Sequence, residues 1–553
     1  MTFDIVVVGA GPTGLTLACE LRLAGADPLV LDRLPEPSTV PKANGLGGQV
    51  VRMLDHRGLL ERFTAAASHA GPVPAFPFGG LPLDLSRLEA DPFHLLLLPQ
   101  PRMEEILGER ARELGVTIRR GHELLSFTQD DPTSPPGPAD GGGVTLRVRG
   151  PEGDYEVRTR YLVGCDGARS LVRRQAGIGF PGSAARETTL LGRVVLAESA
   201  INPKTGEVEV PGVGRVRPGR HATPHGAFTI TSLHPGVHLV GVHLPTGADT
   251  AAPEEPIGPS TRKDPAEPAA PEDPAGPLAP EELRAAVRRE LGADLPIERV
   301  LWSARVVPQA RQADRYREGR VLLAGDAAHL FPAGGALAVC LPDAVNLGWK
   351  LAAHAGGWAP PGLLDTYQTE RHPAGRRFLT QARVQALLTE PGEDAAALRG
   401  LLGELLGDAQ AVRRVAGMMS GSDLCHDMPG AAARPHPLLG RFVPGLRLVT
   451  SSGATGLAEL MRTASPLLLD LAGRTALTRI AAGWRDRVVV VPARCEDPPA
   501  DALLVRPDGH VAWVAAADEP DEQAGDALRT ALSHWFGAET RAEDIQEVTT
   551  AGG

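Results

Sequence analysis

The run Val8-Gly9-Ala10-Gly11-Pro12-Thr13-Gly14 limits what this chain can fold into more than any other stretch. Phe3 to Val8 is short and mostly apolar, the pattern of a strand buried on both faces. The glycines at 9, 11 and 14 fit a Gly-x-Gly-x-x-Gly fingerprint. The first permits a tight turn, the second lets backbone approach a pyrophosphate, and the third lets a helix pack on the strand. The helix predicted from Gly14 to Leu23 aims its first N–H groups at the phosphates. A second apolar strand, Pro28 to Leu31, ends on Asp32, at the spacing where a carboxylate meets ribose hydroxyls. Strand, turn, helix, strand and acid agree on a dinucleotide-binding α/β unit.

Two later stretches repeat the strand-into-turn pattern. Tyr161 to Ser170 contains Asp166-Gly167, a tight-turn pair, and predicts a helix beginning at Arg169. Gly319 to His329 reads as a buried strand ending in Gly325-Asp326, where the carboxylate can accept from a ribityl hydroxyl. His329 is expected to pack and hydrogen-bond locally rather than to catalyse. Pro332-Ala333-Gly334-Gly335 then leads into a helix carrying Asp343, Asn346 and Trp349. Its first N–H groups can stabilise negative charge on the pyrimidine side of a flavin. In this fixed order the three stretches describe a chain that wraps a flavin dinucleotide along its length.

With 553 residues the chain has room for two or three domains. A net charge of −11 argues against a nucleic-acid partner. No apolar run reaches membrane-spanning length, and the N-terminus reads as a buried strand rather than a signal peptide. Cys19, Cys165, Cys340, Cys425 and Cys495 are scattered, which favours a reducing cytoplasm with no zinc site and no disulfide framework. Residues 247–280, rich in Pro, Ala, Glu and Asp, predict a mobile surface insertion, and Asp131 to Gly143 a long hairpin loop. Alternating runs such as Val144 to Arg149 and Phe228 to Thr231 suit antiparallel strands. A helix-rich part spans about Leu337 to Met419. Beyond Pro437, strands at Arg487–Val491, Ala502–Val505 and Val511–Val514 alternate with helical stretches, as in a separate α/β domain.

Together with Gln100-Pro101-Arg102 and Asp343 to Lys350, the ordered triplet resembles the class A flavoprotein monooxygenases, the para-hydroxybenzoate hydroxylase family. More narrowly, the chain is similar to the bacterial aromatic polyketide hydroxylases that tailor angucyclines, tetracyclines and anthracyclines. Lys42 to Gly45, Leu54 to Leu60, His436 to Arg441 and Leu503 to Gly509 are typical of that subgroup. The resemblance implies a Rossmann-like, glutathione-reductase-type FAD domain in three parts (1–67, 100–179, 306–434). An antiparallel-sheet substrate domain (68–99, 180–305) is interleaved with it, and a thioredoxin-like domain without redox cysteines (435–553) follows. FAD would be held by Gly9, Gly11, Pro12, Thr13 and Gly14, with Asp32, Arg33, Lys42, Gln49 and Gln100. Gly325 and Asp326 would meet the ribityl chain, Leu124 the adenine side, and Pro332, Gly334, Gly335, Leu337 and Ala338 the ring. NADPH would enter near Asp166-Gly167. A polyketide would lie under the antiparallel sheet. In such enzymes NADPH reduces the flavin, O2 adds at flavin C4a, and the distal oxygen passes to an electron-rich ring. That chemistry asks side chains for little beyond positioning and a dry pocket, so no catalytic residue is assigned. The C-terminal domain often mediates contacts in relatives, so a homo-oligomer or a partner oxygenase is compatible with this reading.

One segment departs from the family pattern. Gly334-Gly335 is followed by Ala336-Leu337-Ala338-Val339-Cys340-Leu341-Pro342, one residue shorter than usual, with Ala338, Cys340 and Pro342 replacing Asn, Gly and Gln. Pro342 lacks an N–H and disfavours a helical residue before it, so the helix start is expected to move. Cys340 adds a side chain where backbone normally approaches the ring. Gln49 stands near where many relatives carry arginine. Three readings stay open: a hydroxylase; a tailoring protein doing dehydration, ring opening or cyclisation or assisting a partner oxygenase; and a binder that carries a polyketide without turnover. Arg371-His372-Pro373 reads as structural, and Arg413-Arg414 as a solvated face. Met418, Met419 and Met428 are read as packing or lining a substrate mouth, and Glu104-Glu105 as complements to a helix dipole.

Overall fold

The computed structural model describes residues 2–88, 93–130, 142–183, 187–203, 205–223, 225–234, 236–245, 276–332, 335–390, 392–429 and 436–540. Most of the tract at 131–143 and of the insertion at 247–280 therefore lies outside the described residues, as does Gly334.

The chain enters a parallel sheet through β1 (Thr2–Val8), turns into α1 (Pro12–Leu23) and returns as β2 (Pro28–Asp32). After α2 (Gln49–Asp55) and α3 (Gln100–Glu113) it adds β3 (Thr117–Arg120), β4 (Gly153–Gly164) and β5 (Val321–Leu323). The helices α4 (Leu337–Ala355), α5 (Asp365–Leu388) and α6 (Ala409–Ser420) follow. The parallel order is β5-β4-β1-β2-β3, so β1 lies inside the sheet and Ile5, Val6 and Val7 are wholly buried. That burial explains an unbroken apolar run where alternation would mark a half-wet strand. Val8 stands opposite both Leu31 and Gly164, and Gly164 opposite Leu323. The carboxyl ends of β1, β4 and β5 are therefore level.

A six-stranded antiparallel sheet comes from residues 187–306. One face packs on the helix Pro280–Leu291: Leu190, Val194, Phe228 and Val240 meet Leu283 and Val287. The short strands Gly182–Ser183, Ala310–Gln312 and His329–Leu330 pair with one another and lead from this sheet back to the loop after β5. In the C-terminal part, Leu467–Asp470 pairs in parallel with Val489–Pro492 and antiparallel with Ala502–Val505, which pairs with Val511–Ala515. This is the thioredoxin-like order that the resemblance implies, backed by the helix Asp521–Phe536. No helix among the described residues is long and apolar enough to cross a membrane.

Three local expectations change. The helix after Asp166-Gly167 begins at Leu171 rather than Arg169, because the Ser170 hydroxyl accepts from the Arg173 N–H at 2.9 Å and sets the cap there. Helix α4 does not restart at Pro342; Leu337 to Leu341 are helical ahead of it. The N–H groups of Ala338, Val339 and Cys340 bond back to Gly335 and Ala336, and Arg371 donates to the Val339 carbonyl, so tertiary contacts hold the turn that Pro342 disfavours. Glu104 lies beyond the first turn of α3 and is buried, accepting from Gln100 Nε2 at 2.7 Å instead of facing the dipole.

Buried charge ties the C-terminal part to the rest. Arg506 donates twice to Glu370 of α5, at 2.7 and 2.8 Å, and pairs with Asp508. Lys350 Nζ and Asn346 Nδ2 of α4 reach the same Glu370 carboxylate at 2.8 and 2.6 Å. Burial would raise Glu370, but Arg506 and Lys350 outweigh it and hold the carboxylate ionised. A second knot joins Arg57 to Glu20 of α1 at 2.6 and 2.8 Å and to the carbonyls of Met461 and Pro507. Glu20→Ala would strand that buried guanidinium. A cost of about 3–5 kcal/mol is expected, read as a lower urea midpoint, with a smaller loss for Glu20→Gln.

Candidate functional site

Level strand ends bring the three turns together. A Cβ on Gly9, at φ +106°, would lie 2.2 Å from the Cys165 carbonyl oxygen, so only glycine lets the first turn pass beneath the second. Gly325, at φ +65°, leaves 2.6 Å between such a Cβ and Thr13 Oγ1, locking the third turn against α1. A Cβ on Gly14 would sit 1.9 Å from the Gly9 oxygen, the close helix–strand approach expected of the third fingerprint glycine. Gly11 differs: nothing stands within 4 Å of its missing side chain. The backbone there borders open space at the N-terminus of α1, which is where a pyrophosphate needs it.

Carboxylates surround that space. Asp32 ends β2 and accepts from the Ala10 and Leu34 N–H groups at 2.7 and 2.8 Å. Asp166 accepts from the Val172 N–H through Oδ2, whereas its buried Oδ1 has no partner among the described residues. An orphaned acceptor at the carboxyl edge of a parallel sheet is suited to a ligand hydroxyl. Asp326 follows β5 and is solvent-exposed because the cleft is open, although protein crowds its other sides. That crowding raises its carboxyl pKa, against the charges of His329 and Lys42, and the solvent reaching it limits the effect. Lys42 also acts on Glu104, whose pKa burial raises, so Lys42, Gln100, Glu104 and Asp326 form one neighbourhood. Gln100 is anchored by its N–H to the Ala43 carbonyl at 2.8 Å.

The ring end is built on α4. His329 Nε2 and Asp343 Oδ2 lie 2.6 Å apart, and Arg371 Nε donates to Asp343 Oδ1 at 2.7 Å, all three fully or nearly buried. Burial would raise the Asp343 carboxyl, but Arg371 and His329 overcome it and keep it below the ordinary value. His329 is thus a local packing and hydrogen-bonding group, as expected, and Glu370, Arg371 and His372 all make structural bonds. Cys340 is buried with Sγ 4.0 Å from Asp326 Oδ1. Burial first, then Asp326 and Asp343, push its pKa well up, so it stands as a thiol rather than a nucleophilic thiolate.

Pro332, Gly335, Leu337 and Ala338 all lie on this loop and first turn, beside Asp326. Leu124 is buried just past β3, whose neighbour His122 bonds to the Asp32 carbonyl. Gly167, at φ +82°, opens to free space. Arg33 is exposed beyond β2. Gln49 is on the first turn of α2, which packs against α4.

Two supports went unread in the sequence. Arg173 donates to the carbonyls of Ala327 and Ala168 at 3.0 and 3.1 Å and lies 3.8 Å over the Phe180 ring, joining the second turn to the third. The Asp343–Arg371 pair is the other. Asp343, alone among apolar neighbours at the start of α4, was the available signal for the pair, whereas the Leu-Val-Arg-Arg-Gln run gave none for Arg173.

The glycine-lined opening, the orphaned Asp166 oxygen and the ring of hydroxyl-accepting carboxylates fit FAD. Gly11→Ala should leave the apoprotein's stability nearly unchanged but weaken FAD retention about tenfold or more. Gly14→Ala should lower both, because its Cβ meets the Gly9 backbone; flavin titration alongside urea unfolding separates the two.

Known proteins agree with this geometry. The family described as "FAD binding domain" matches residues 2–382, and "Aromatic-ring hydroxylase, C-terminal" matches residues 436–539. A Streptomyces rimosus protein, 12-dehydrotetracycline 5-monooxygenase/anhydrotetracycline 6-monooxygenase, is 42% identical over 552 residues, covering 97% of this chain and 99% of that one. The solved structure of OxyS anhydrotetracycline hydroxylase from Streptomyces rimosus aligns with a TM-score of 0.81 at 40% identity, covering 98% of this chain and 100% of that one. A dialkyldecalin synthase from Streptomyces rugosporus is 36% identical over 548 residues, covering 97% of this chain and 99% of that one.

Proposed function

Because the chain belongs to the FAD-binding aromatic-ring hydroxylases, we propose that it is an NADPH-dependent monooxygenase hydroxylating an aromatic polyketide in antibiotic biosynthesis. The observation that carries this reading is the level arrangement of β1, β4 and β5, which sets three glycine turns around the open space at Gly11. The net reaction is ArH + O2 + NADPH + H+ → ArOH + H2O + NADP+. Bound FAD supplies the electron transfer and the activation of O2.

The residues' own contribution is placement. Gly11 and the start of α1 receive phosphates, while Asp32, Asp166 and Asp326 accept from hydroxyls. The first turn of α4 is braced by Asp343 and Arg371, and because its Ala338, Val339 and Cys340 N–H groups bond to Gly335 and Ala336, the Leu337 N–H is the candidate donor to negative charge at the ring. Asp166-Gly167 is the proposed entry of the nicotinamide, and the cytoplasm, with its supply of NADPH, the proposed compartment.

A second reading has one observation in its favour: 36% identity to a dialkyldecalin synthase in a chain whose ring-side turn carries Cys340 and Pro342. It is a cyclisation or related tailoring step without oxygen transfer. The discriminating measurement is the visible spectrum and oxygen uptake of the purified protein. The hydroxylase reading expects a yellow protein that anaerobic NADPH bleaches and that takes up one O2 per product. Product without oxygen uptake selects the second reading, and a protein that cannot retain FAD overturns the first.

A further inference from the structure

A cavity of about 770 Å³ opens on the helix α2 that packs against α4, walled by segments far apart in sequence. Gly48 and Gln49 form its inner wall, on a segment that packs against α4. Arg52, one turn further along α2, lies over the Phe442 ring at 5.2 Å and shares the wall with Val51. Leu88 and Phe93 add apolar surface, with Phe93 tilted against Phe76 at 5.6 Å. Arg413 and Arg414 of α6, Arg87, and Arg441 from the C-terminal part complete the mouth.

The charge here runs against the rest of the molecule. Five arginines line one cavity in a chain of net charge −11. Among the described lining residues Asp423 is the only carboxylate, and it is paired with Arg377. Arg413, Arg414 and Arg441 are exposed and make no ion pair among the described residues. The pair expected as a plain solvated face therefore faces a concave, partly apolar wall. A ligand that satisfies it has a flat apolar body for Phe93 and Leu88 and an oxyanion for the guanidinium forks. The volume falls within the ordinary range for a small-molecule site.

We propose that this cavity receives the substrate and that the substrate is an acidic aromatic polyketide, its carboxylate or ionised 1,3-dicarbonyl held by Arg413, Arg414 and Arg441. The proposal rests on the monooxygenase reading for calling the ligand a substrate. Its recognition chemistry is tested without turnover.

The FAD-loaded protein is titrated by calorimetry with anthraquinone-2-carboxylate and with anthraquinone-2-carboxamide, which share shape and differ in charge. The carboxylate is expected to bind at least about tenfold more tightly, with an advantage that shrinks in high salt. The double variant Arg413→Gln/Arg414→Gln should reduce the advantage to under about threefold, and Arg441→Gln should reduce it independently. FAD content and circular dichroism confirm that the variants fold. Equal affinities in the unmodified protein, or an advantage that survives the variants, overturn the proposal. So does a rise in the NADPH concentration needed for half-maximal bleaching with anthraquinone binding untouched, which would assign the arginines to the reductant's phosphates. Failure of the monooxygenase reading shows as absent bleaching by NADPH and leaves the carboxylate-to-carboxamide ratio measurable.

Discussion

Everything in this molecule follows from how closely the backbone of the first turn passes the second. With the Cys165 carbonyl 2.2 Å from where a Gly9 side chain would begin, β1 and β4 can be level only if position 9 has no side chain. Level strands place Asp166 and Asp326 around the same opening as Gly11. Thr13 against Gly325 and Arg173 across Ala168 and Ala327 then fix the third turn, so cofactor geometry is a property of backbone packing before any ligand arrives.

Around that backbone core the buried charges act as fasteners. The Arg506–Glu370–Asp508 cluster and the Arg57–Glu20 pair both couple the C-terminal part to helices that touch the cleft, α1 and α4 among them. Ion pairs of this kind add little net stability over a well-packed apolar alternative, but they penalise any arrangement that separates the partners. They therefore specify orientation. The long helix α4 carries both ends of this logic, with Asp343 near the ring and Lys350 in the cluster two turns on.

What the sequence made legible was local. Gly9, Gly11, Gly14, Asp32, Asp166 and Asp326 each stand at a strand end or in a turn whose chemistry is readable within a few residues, and the structure brings them together. The alternating strands and three of the C-terminal strands were legible for the same reason, whereas the C-terminal strand order came only from the family resemblance. Contacts spanning long separations were not: Glu370 and Arg506 are 136 positions apart, and nothing near either residue announces the other. Pro342 misled because its local preference was weighed without the Arg371 bond to Val339 that holds the preceding turn. Gln49 drew attention as a lone substitution, while the arginines around the neighbouring cavity come from segments that no local window contains.

The buried position of Arg506 has an architectural meaning. Its guanidinium lies 4.4 Å over Trp535 and 5.5 Å over Trp349, so the two halves of the chain share aromatic surface as well as charge. A C-terminal unit with a fold of its own has thereby become a keystone rather than a passenger. Exchange of such units between related enzymes would transmit a change in orientation along α4 to the flavin turn. Recombination within this architecture therefore has to carry Arg506 and Asp508 together with their acceptor on α5, and the natural unit of inheritance is the junction rather than the domain.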